Sequence, residues 1–507
     1  MMQHAIIKRI LDASVYDVAV ETPLEKAPSL SARLDSSILF KREDLQTIFS
    51  FKIRGAYNKI RLLAQKGVPG VVTASAGNHA QGVALSARQL GLQACIVMGR
   101  ATPQIKVNAA SRLGAEIVLH GDTYDEAAIY AADLALERNL AYVHPFDDLD
   151  VIAGQGTIGM EILRQHTGPI SAIFVPVGGG GLIAGVGSYV RYLRPEVKII
   201  GVEAEGSASM TEAIAAKRRV RLPLETLDLF ADGTAVRQVG KESFRLARRC
   251  IDEMVTVNVD EICAAVKDVF DDTRVLAEPS GALSVAGVKR YVAEHGPMDG
   301  SAVAIVSGAN VNFDRLRHIS ERAESGEYRE ILLGVEIPEE PGSFLKFANQ
   351  IGSRSITEFN YRFDASSAEN PARVLVGIQT SDDEDRRELI RSLRSHYPVT
   401  DLSDNEVAVL HVRHMVGGRS SGVSGEQLYR FEFPERPGAL LEFLTRLGDR
   451  FNITMFHYRN HGAAEGRVLA GIALRRGDKG AFRSLMQGIG YRHWNESDNP
   501  AYRMFLD

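Results

Sequence analysis

One stretch of eleven residues decides the fold of this chain: Ala172-Ile173-Phe174-Val175-Pro176-Val177-Gly178-Gly179-Gly180-Gly181-Leu182. Its first six residues are an apolar run typical of a buried strand, and the mostly apolar residues up to Leu193 predict a helix. Glycines let the backbone approach a ligand closely, and their amides together with the helix N-terminus favour an anion. We therefore predict that this glycine loop binds a phosphate group, with a tight turn that holds no ligand as the alternative.

The same loop also fits a dinucleotide-binding pattern. Gly179, Gly181 and Ala184 satisfy G-x-G-x-x-A after a strand, and Glu203 ends the next apolar run about 20 residues further on, as a ribose-binding acid would. The alternative function is then a nicotinamide-dependent oxidoreductase. This interpretation gives no role to a lysine that lies upstream.

That lysine, Lys52, stands among apolar and small residues in the run Ser50-Phe51-Lys52-Ile53-Arg54-Gly55-Ala56. It follows an extended segment at 38–41 and begins a predicted helix. Burial disfavours the charged form of an amine, so we predict that Lys52 is a nucleophile able to form a Schiff base with a carbonyl group. The ordinary alternative is a lysine whose stem lies on the surface while its charge stays in water.

A third segment opens a helix of small residues after a short predicted strand: Thr73-Ala74-Ser75-Ala76-Gly77-Asn78-His79-Ala80-Gln81-Gly82. Ser75 and Asn78 stand where the first amides of that helix have no partners, which favours binding of a carboxylate. An ordinary N-cap is the alternative for both residues.

Bulk composition limits the class of protein. A chain of 507 residues is too long for one hydrophobic core, so several domains are expected. The net charge of −5, from 59 basic and 64 acidic residues, gives no electrostatic footprint for nucleic acid. No apolar stretch is long enough for a membrane span, and the N-terminus has no secretory pattern. Three cysteines without metal-ligand spacing predict reduced thiols in a cytoplasmic protein: Cys95, Cys250 and Cys263.

Short apolar runs alternate with longer helical stretches between residues 38 and 319. The predicted strands are Val71–Thr73, Ala94–Met98, Glu116–Leu119, Ile173–Val177, Ile199–Glu203 and Ala302–Val306. Such alternation predicts an α/β fold of βαβ units with largely parallel sheets. Residues 314–330 are charge-rich, which indicates an exposed helix and a connector.

An internal repeat fills the C-terminal part of the chain. The motif at 336–342 (EIPEEPG) recurs at 432–438 (EFPERPG), 96 positions later. Two further segments, 356–362 and 373–378, recur at 453–459 and 467–472. Each copy reads strand, proline-glycine turn, helix, strand, strand, helix, strand, which is the plan of a ferredoxin-like α+β module. A repeat of this length indicates domain duplication. For the duplicated modules, dimerisation without a ligand is the alternative to allosteric control.

Taken together and in this order, these segments resemble the threonine deaminases (threonine ammonia-lyases) of the fold-type II pyridoxal phosphate family. The resemblance also rests on the motifs AEPSGA at 277–282 and SGANVN at 307–312. It implies a two-lobed α/β catalytic domain with parallel sheets at 1–320, whose smaller lobe spans residues 51–145. It further implies a connector at 321–329 and two ferredoxin-like α+β (ACT-like) domains at 330–415 and 425–507.

The resemblance implies that pyridoxal 5′-phosphate is the cofactor and assigns residues to it. Lys52 would hold the cofactor as a Schiff base and then serve as the general base at the substrate Cα. Asn78 is assigned to the ring 3-oxygen and Ser307 to the pyridine nitrogen. The cofactor phosphate is assigned to Gly178, Gly179, Gly180, Gly181 and Leu182.

Other residues are candidates for contact with the substrate. Ser75, Asn78 and His79 are candidates for the substrate carboxylate, with a plain helix-face position as the alternative for His79. Glu278 is a candidate for tuning the hydroxyl side of the site, with surface solvation as its alternative. A dipolar hydroxyl such as that of Ser307 leaves a ring nitrogen uncharged, which suits an elimination better than a transamination.

Two positions separate this chain from the racemases of the same family. Those enzymes have a serine at the position of Ala76 that supplies a base on the other face of the cofactor, so we expect one-sided proton chemistry on L-amino acids. They also bind a divalent ion through Glu and Asp. Glu203 matches the first ligand, but Ser209 stands at the aspartate position, so we expect no metal site.

The implied activity is elimination of water from L-threonine followed by hydrolysis to 2-oxobutanoate and ammonia, the first step of isoleucine biosynthesis. L-serine is the expected side substrate, and the family implies a homotetramer inhibited by isoleucine, with valine opposing the inhibition. Tyr361 and Tyr458 occupy equivalent places in the two copies and are candidates for effector contact, with core aromatics as the alternative. An amino-acid sensor built on an inactive enzyme is the alternative from another functional class.

Overall fold

The computed structural model divides into two compact units, Met1–Gly326 and Glu327–Asp507. It describes residues 2–100, 102–224, 227–316, 319–320, 322–323, 330–338, 340–362, 372–403, 405, 408, 425–434, 439–448, 450–459, 465–474 and 477–499. Within these ranges no helix is both long enough and apolar enough to cross a membrane.

In the first unit strands and helices alternate along the chain. The strands are β1 Leu24–Lys26, β2 Ile38–Arg42, β3 Gly70–Ala74, β4 Gln93–Met98, β5 Glu116–Leu119, β6 Ala141–Tyr142, β7 Ile170–Pro176, β8 Lys198–Ala204, β9 Glu253–Val257 and β10 Ser301–Val306. The helices are α1 Met2–Leu11, α2 Pro28–Arg33, α3 Lys52–Ala64, α4 Asn78–Gln89, α5 Gln104–Arg112, α6 Tyr124–Glu137, α7 Leu149–Gln165, α8 Gly181–Leu193, α9 Ser209–Ala215, α10 Lys241–Ala247, α11 Val259–Thr273 and α12 Pro279–His295.

These strands form two sheets. The larger has the order β1-β2-β10-β7-β8-β9 and is parallel except for the β1–β2 pair, and the smaller has the parallel order β5-β4-β3-β6. Separate apolar cores pack on the two faces of each sheet. Burial on both faces explains why the strands read as continuous apolar runs. The chain leaves β3, β7 and β10 at their carboxyl ends directly into the segments predicted to carry the site, as ligand-binding residues do in parallel sheets.

The second unit contains both copies of the repeat. The first copy comprises β11 Glu330–Ile337, α13 Ser343–Ile351, β12 Ile356–Arg362, β13 Ala372–Gln379, α14 Asp383–Arg394 and β14 Val399–Asp401. The second comprises β15 Glu426–Pro434, α15 Ala439–Leu447, β16 Asn452–Arg459, β17 Glu465–Ala473, α16 Lys479–Gly488 and β18 Arg492–Asn495. Each copy thus has the predicted order of strands and helices.

The two copies share one eight-stranded sheet, in the order β14-β11-β13-β12-β16-β17-β15-β18. They join where β12 pairs antiparallel with β16, and Asn360 there lies opposite His457. These two residues are also equivalent in the repeat, so a local twofold axis passes between them. One continuous apolar core, drawn from both copies, covers one face of this sheet.

A bulge recurs at the same place in each copy. The register shifts at Thr357 in β12 and at Thr454 in β16, and the two threonine hydroxyls donate to Glu330 and Glu426 respectively. A Cβ atom at Gly377 would lie 2.3 Å from the Thr357 hydroxyl oxygen. The glycine, threonine and glutamate of each copy therefore form one structural device, which the duplication has kept.

The predicted fold class is confirmed: an α/β catalytic domain with parallel sheets is followed by two α+β modules. The predicted strands are present with bounds that differ by up to three residues. Most of the 321–329 connector and the second proline-glycine turn, at 437–438, lie outside the described residues. The exact domain boundaries stay a prediction.

Candidate active site

Lys52 is the first residue of α3, and the segment before it pairs with the segment that follows β10. The Phe51 N–H donates to the Ser307 carbonyl at 3.2 Å, and Ser50 and Gly308 form an antiparallel bridge. Lys52 and Ser307 therefore belong to neighbouring backbone segments, although they are far apart in the chain.

The Lys52 amine has an unusual environment for a lysine. The side chain is half-buried, and its Nζ donates to the Pro145 carbonyl at 3.0 Å. Burial lowers the pKa of Lys52 to about 8, and the negative charge of Glu278 partly offsets that effect. An amine with this pKa has a neutral, nucleophilic fraction near neutral pH.

The glycine loop connects β7 with α8. Gly180 has φ 88°, in the left-handed region that favours glycine. A Cβ atom at Gly179 would lie 2.2 Å from the Phe146 ring, and one at Gly181 would lie 2.9 Å from the Phe146 carbonyl oxygen. Because Phe146 follows Pro145, the Lys52 amine and the glycine loop contact adjacent residues of one loop.

The loop at residues 144–147, which contains Pro145 and Phe146, is fixed by hydrogen bonds within the loop and to α10. Asp147 Oδ1 accepts from the backbone N–H of Glu242 at 2.7 Å, at the start of α10. The Ser243 hydroxyl donates to the Phe146 carbonyl at 2.9 Å, and His144 Nδ1 accepts from the Asp147 N–H at 2.8 Å. The segment that contacts both the Lys52 amine and the glycine loop is therefore held in place by hydrogen bonds.

Asn78, the first residue of α4, is bonded to two residues of the other lobe. Its Nδ2 donates to Glu278 Oε1 at 2.7 Å, and its Oδ1 accepts from Asn310 Nδ2 at 2.7 Å. Glu278 Oε2 accepts from the Asn310 N–H at 3.0 Å. Burial raises the pKa of Glu278 to about 7, with the charge of Asp232 adding to the rise, so solvation at the surface does not describe this residue.

Ser307 is buried at the carboxyl end of β10, and its hydroxyl donates to the Ser280 carbonyl at 3.3 Å. The hydroxyl oxygen of Ser280 itself is buried and has no hydrogen-bond partner among the described residues. Ser280 lies in the first turn of α12, directly after Glu278 and Pro279. The Ser280 hydroxyl, close to Ser307, is therefore available to form a hydrogen bond with a ligand.

Ser75 and His79 have different surroundings. Ser75 is half-buried at the end of β3, and its hydroxyl accepts from the Gly77 N–H at 3.3 Å. His79 is fully buried, its Nε2 lies 3.2 Å from the Val143 carbonyl oxygen, and burial lowers its pKa to about 3. A neutral imidazole bonded to a backbone carbonyl is poorly suited to pair with a carboxylate, so the geometry favours Ser75 over His79 in that role.

Glu203 does not serve as a ribose-binding acid. It is fully buried, and its two carboxylate oxygens accept from the backbone N–H groups of Met210 and Thr211, each at 2.8 Å. It therefore stabilises the start of α9, and the dinucleotide interpretation loses its acid. Among the described residues no group of three or more His, Cys, Asp or Glu is arranged to hold a metal ion.

Two residues after Lys52, Arg54 lies in what we call the ionic cluster: Lys41, Glu43, Arg54 and Glu161. All four side chains are fully buried. Arg54 contacts Glu43 at 2.7 Å and Glu161 at 2.5 Å, and Lys41 contacts Glu161 at 2.6 Å. The cluster ties the first turn of α3 to β2 and α7.

Tyr361 and Tyr458 are buried in the core of the second unit, on the face that strand alternation predicts. The Tyr361 ring packs edge-on against Phe344 with 4.9 Å between ring centroids. Tyr361 lies opposite Phe456, and Tyr458 opposite Phe359, on either side of the local twofold axis. Their rings therefore belong to the core.

Three contributors to this site were not predicted from the sequence. Pro145 and Phe146 have no local signal, because they act through a backbone carbonyl and a ring contact that only the folded chain brings together. Asn310 stands in the motif SGANVN at 307–312, three residues after Ser307, and this motif is the signal that could have identified it.

The residues present fit pyridoxal phosphate. They offer an amine of lowered pKa, a glycine loop at the start of α8 whose first amides have no partners within the helix, and the unpartnered hydroxyl of Ser280 beside Ser307. Together they can bind a phosphate, capture an aldehyde and hold a proton at an amine. That set is the chemistry of a Schiff-base cofactor enzyme.

Comparison with protein families gives two matches. Residues 15–308 match the model of pyridoxal-phosphate-dependent enzymes. Residues 321–412 and 417–506 each match the C-terminal regulatory domain of threonine dehydratase. The two regulatory matches coincide with the two copies of the internal repeat.

Similar proteins extend these matches over the whole chain. The biosynthetic L-threonine dehydratase of Burkholderia multivorans is 51% identical over 512 residues, covering 100% of both chains. The corresponding enzyme of Escherichia coli is 51% identical and covers 99% of this chain and 96% of its own length. The structure of threonine deaminase isoform 2 from Solanum lycopersicum, in its processed form, has a TM-score of 0.62 and 49% identity, covering 64% of this chain and 93% of that one.

Proposed function

The chain belongs to the pyridoxal-phosphate-dependent enzymes that carry the regulatory domain of threonine dehydratase, and we propose that it converts L-threonine to 2-oxobutanoate and ammonia. One observation carries the chemistry: the Lys52 amine, with its pKa lowered to about 8, and the glycine loop contact adjacent residues, Pro145 and Phe146. The choice of threonine is supported by the names of relatives that match over their full length.

When bound, pyridoxal phosphate supplies an electron sink for the charge left at the substrate Cα. Lys52 would hold the cofactor through its amine, and the same nitrogen, once free, accepts the Cα proton of the substrate. Pro145 holds that nitrogen through its carbonyl oxygen. Loss of the β-hydroxyl as water, followed by hydrolysis at the nitrogen-bearing carbon, leaves the keto acid and ammonia.

The other residues bind and orient. We assign the phosphate to Gly178, Gly179, Gly180, Gly181 and Leu182, whose amides lie at the start of α8. Asn78 would hold the ring oxygen, and Ser307 would hold the ring nitrogen with a neutral hydroxyl, which does not demand protonation of that nitrogen as a carboxylate would. Ser75 binds the substrate carboxylate at the helix start that Asn78 begins.

We also propose that the second unit regulates the reaction, with isoleucine as inhibitor, valine as its opponent and L-serine as a side substrate. The support is the duplication itself: two equivalent modules share one sheet, and in the chain they follow the domain of an amino-acid enzyme. Regulation requires unequal affinity of the effector for two states, and a coupling of about 1–3 kcal/mol is usual. The proposed assembly is a cytoplasmic homotetramer.

Because the rings of Tyr361 and Tyr458 are buried, we propose that any contact with an effector is made through their hydroxyl groups. Tyr→Phe substitution at both positions keeps the core packed and removes only those groups. Isoleucine sensitivity should then fall while the basal rate stays the same.

The decisive experiment measures initial rates of 2-oxobutanoate formation from L-threonine and L-serine, with and without isoleucine and valine. The full chain, a truncation after Arg322 and the double Tyr→Phe variant are compared. Absence of threonine turnover in a protein that binds the cofactor would favour a sensor built on an inactive enzyme. A full chain indifferent to isoleucine would reject the regulatory proposal, whereas a sensitive double variant would reject only the two tyrosines.

A further inference from the structure

Asn78 makes two hydrogen bonds, to Glu278 and Asn310, that binding of the cofactor ring oxygen does not itself require. We infer that Asn310 and Glu278 are positioning residues that fix the Asn78 amide so that one of its N–H groups stays free for the cofactor ring oxygen. The inference rests on the proposed function, because it concerns the same cofactor.

Asn78 has a limited number of hydrogen-bond donors. The amide nitrogen of Asn78 carries two hydrogens, and the contact with Glu278 Oε1 at 2.7 Å uses one of them. The amide oxygen accepts from Asn310 Nδ2 at 2.7 Å. One N–H therefore remains, and its direction is set by the bonds on both sides.

The opposite orientation of the Asn78 amide is excluded by the same partners. A flipped amide would place its oxygen against the Glu278 carboxylate and its hydrogens against the Asn310 amide hydrogens. Both contacts would be repulsive in a buried site, where an unmade hydrogen bond is costly. Two partners of opposite hydrogen-bonding character thus select one orientation.

Asn310 is itself fixed by residues on three segments. Its Nδ2 also donates to the Ile48 carbonyl at 2.8 Å, four residues before Lys52, and its backbone N–H donates to Glu278 Oε2 at 3.0 Å. The Glu278 N–H in turn donates to the Gly308 carbonyl at 3.1 Å. Asn310 therefore links the Lys52 segment, the start of α4 and the start of α12.

The charge state of Glu278 fits this arrangement. Burial raises the pKa of Glu278 to about 7, and the bonds that both of its oxygens accept from N–H groups oppose that rise by favouring the carboxylate. The further charges that act on it are that of the Lys52 amine and those of Lys106 and Asp232, which form an ion pair with each other. Glu278 thus acts here as an acceptor that orients Asn78.

The test replaces Asn310 by residues that differ in hydrogen bonding and in size. In Asn310→Asp a carboxylate faces each end of the Asn78 amide, so the amide oxygen meets a carboxylate in either orientation and the N–H for the cofactor is no longer held in one direction. In Asn310→Ala the donor is lost but Glu278 still holds the amide nitrogen. Asp should therefore be the more harmful change, whereas a space-filling role predicts that Ala is.

The readouts are the affinity for pyridoxal phosphate, titrated into the cofactor-free full-length protein, and the position of its visible absorption band. We expect about tenfold weaker binding in Asn310→Asp, the size of one lost hydrogen bond, and a shifted band. The matched control is Asn58→Ala. Asn58 is also buried and makes two hydrogen bonds, to Asp150 and Ser14, so its loss should lower stability and leave the band in place.

Glu278→Ala keeps the inference falsifiable if Asn310→Asp does not fold, because it removes the acceptor on the other side and should also weaken binding and shift the band. Wild-type affinity and band position in Asn310→Asp, or a larger effect of Ala than of Asp, would overturn the inference. The unsubstituted protein separates this result from the proposed function. If it binds the cofactor with a visible band but does not deaminate threonine, the proposed reaction fails while the inference about Asn78 stands.

Discussion

Lys52 and Arg54 are two cations in the first turn of the same helix, and their partners differ in kind. Arg54 contacts two carboxylates, Glu43 and Glu161, and these raise the pKa of its guanidinium above the ordinary value despite complete burial. Lys52 has the uncharged Pro145 carbonyl as its hydrogen-bond partner, and burial lowers its pKa to about 8. For these two cations, the carboxylate partners of Arg54 outweigh burial, whereas no carboxylate is hydrogen-bonded to the Lys52 amine and burial prevails there.

Replacing the reactive member of the pair should have the largest effect. Lys52→Ala removes both tether and base, so turnover of L-threonine should fall by more than about 10⁴-fold and the visible band of the bound cofactor should disappear. Lys52→Arg should fail equally, because a guanidinium does not lose its proton at working pH. Initial rates and absorption spectra measure both effects, and retained turnover with an unchanged band would contradict the assignment.

Replacing the structural member should act on stability. Arg54→Met leaves Glu43 and Glu161 buried, with Lys41, which contacts Glu161, as the remaining cation of the cluster, and the free energy of unfolding should fall by about 3–5 kcal/mol. Chemical denaturation of the full chain measures the loss. The control is Arg138→Met, since Arg138 pairs with Glu116 at the surface, where such a pair contributes little. A loss as small as that of the control would show that the ionic cluster is not a structural anchor.

The pKa of Lys52 predicts how its reactivity depends on pH. The amine is the reactive form, so labelling of Lys52 in the cofactor-free protein should rise with pH, with a midpoint near pH 8 in place of about 10.4 for an ordinary lysine. Competitive labelling followed by mass spectrometry of the peptides gives the profile, and other lysines of the same digest give the reference. A midpoint at the ordinary lysine value would remove the proposed basis for nucleophilicity.

A smaller shift should follow from removing the charge that opposes burial. The carboxylate of Glu278 favours the protonated amine, so Glu278→Gln should lower the labelling midpoint of Lys52 further. The same labelling experiment detects the change. A labelling midpoint that rises or stays unchanged would show that the Glu278 carboxylate does not stabilise the protonated Lys52 amine.

Much of the fold could be predicted from local sequence. Apolar runs placed the strands, and four consecutive glycines marked the turn into α8, because strand burial and glycine conformations leave local traces. Lys52, Asn78 and Ser307 were found through motifs. The contacts that make Lys52 unlike Arg54 were not predicted, since both lysine and arginine stand among apolar and small neighbours in the sequence.

What could not be predicted depends on pairings between distant segments. Glu203 fitted a ribose-binding pattern by spacing alone, yet the fold turns α9 back so that its first amides bind that carboxylate. The shared sheet of the second unit was also missed, because a repeat reveals two similar modules and does not say that β12 and β16 are adjacent. The local twofold axis at Asn360 and His457 appears only once that register is known.

The local twofold axis relates two modules whose pairing does not depend on the protein concentration. Two separate chains that joined through β12 and β16 would come apart as the protein concentration fell, since their association would be bimolecular. Here both partners belong to one polypeptide, so the effective concentration of one copy for the other is set by the chain that connects them. The eight-stranded sheet is therefore equivalent to a dimer of modules whose one-to-one stoichiometry is fixed because both modules belong to a single chain. Its two halves have been free to diverge, as the unlike pair of Asn360 and His457 shows.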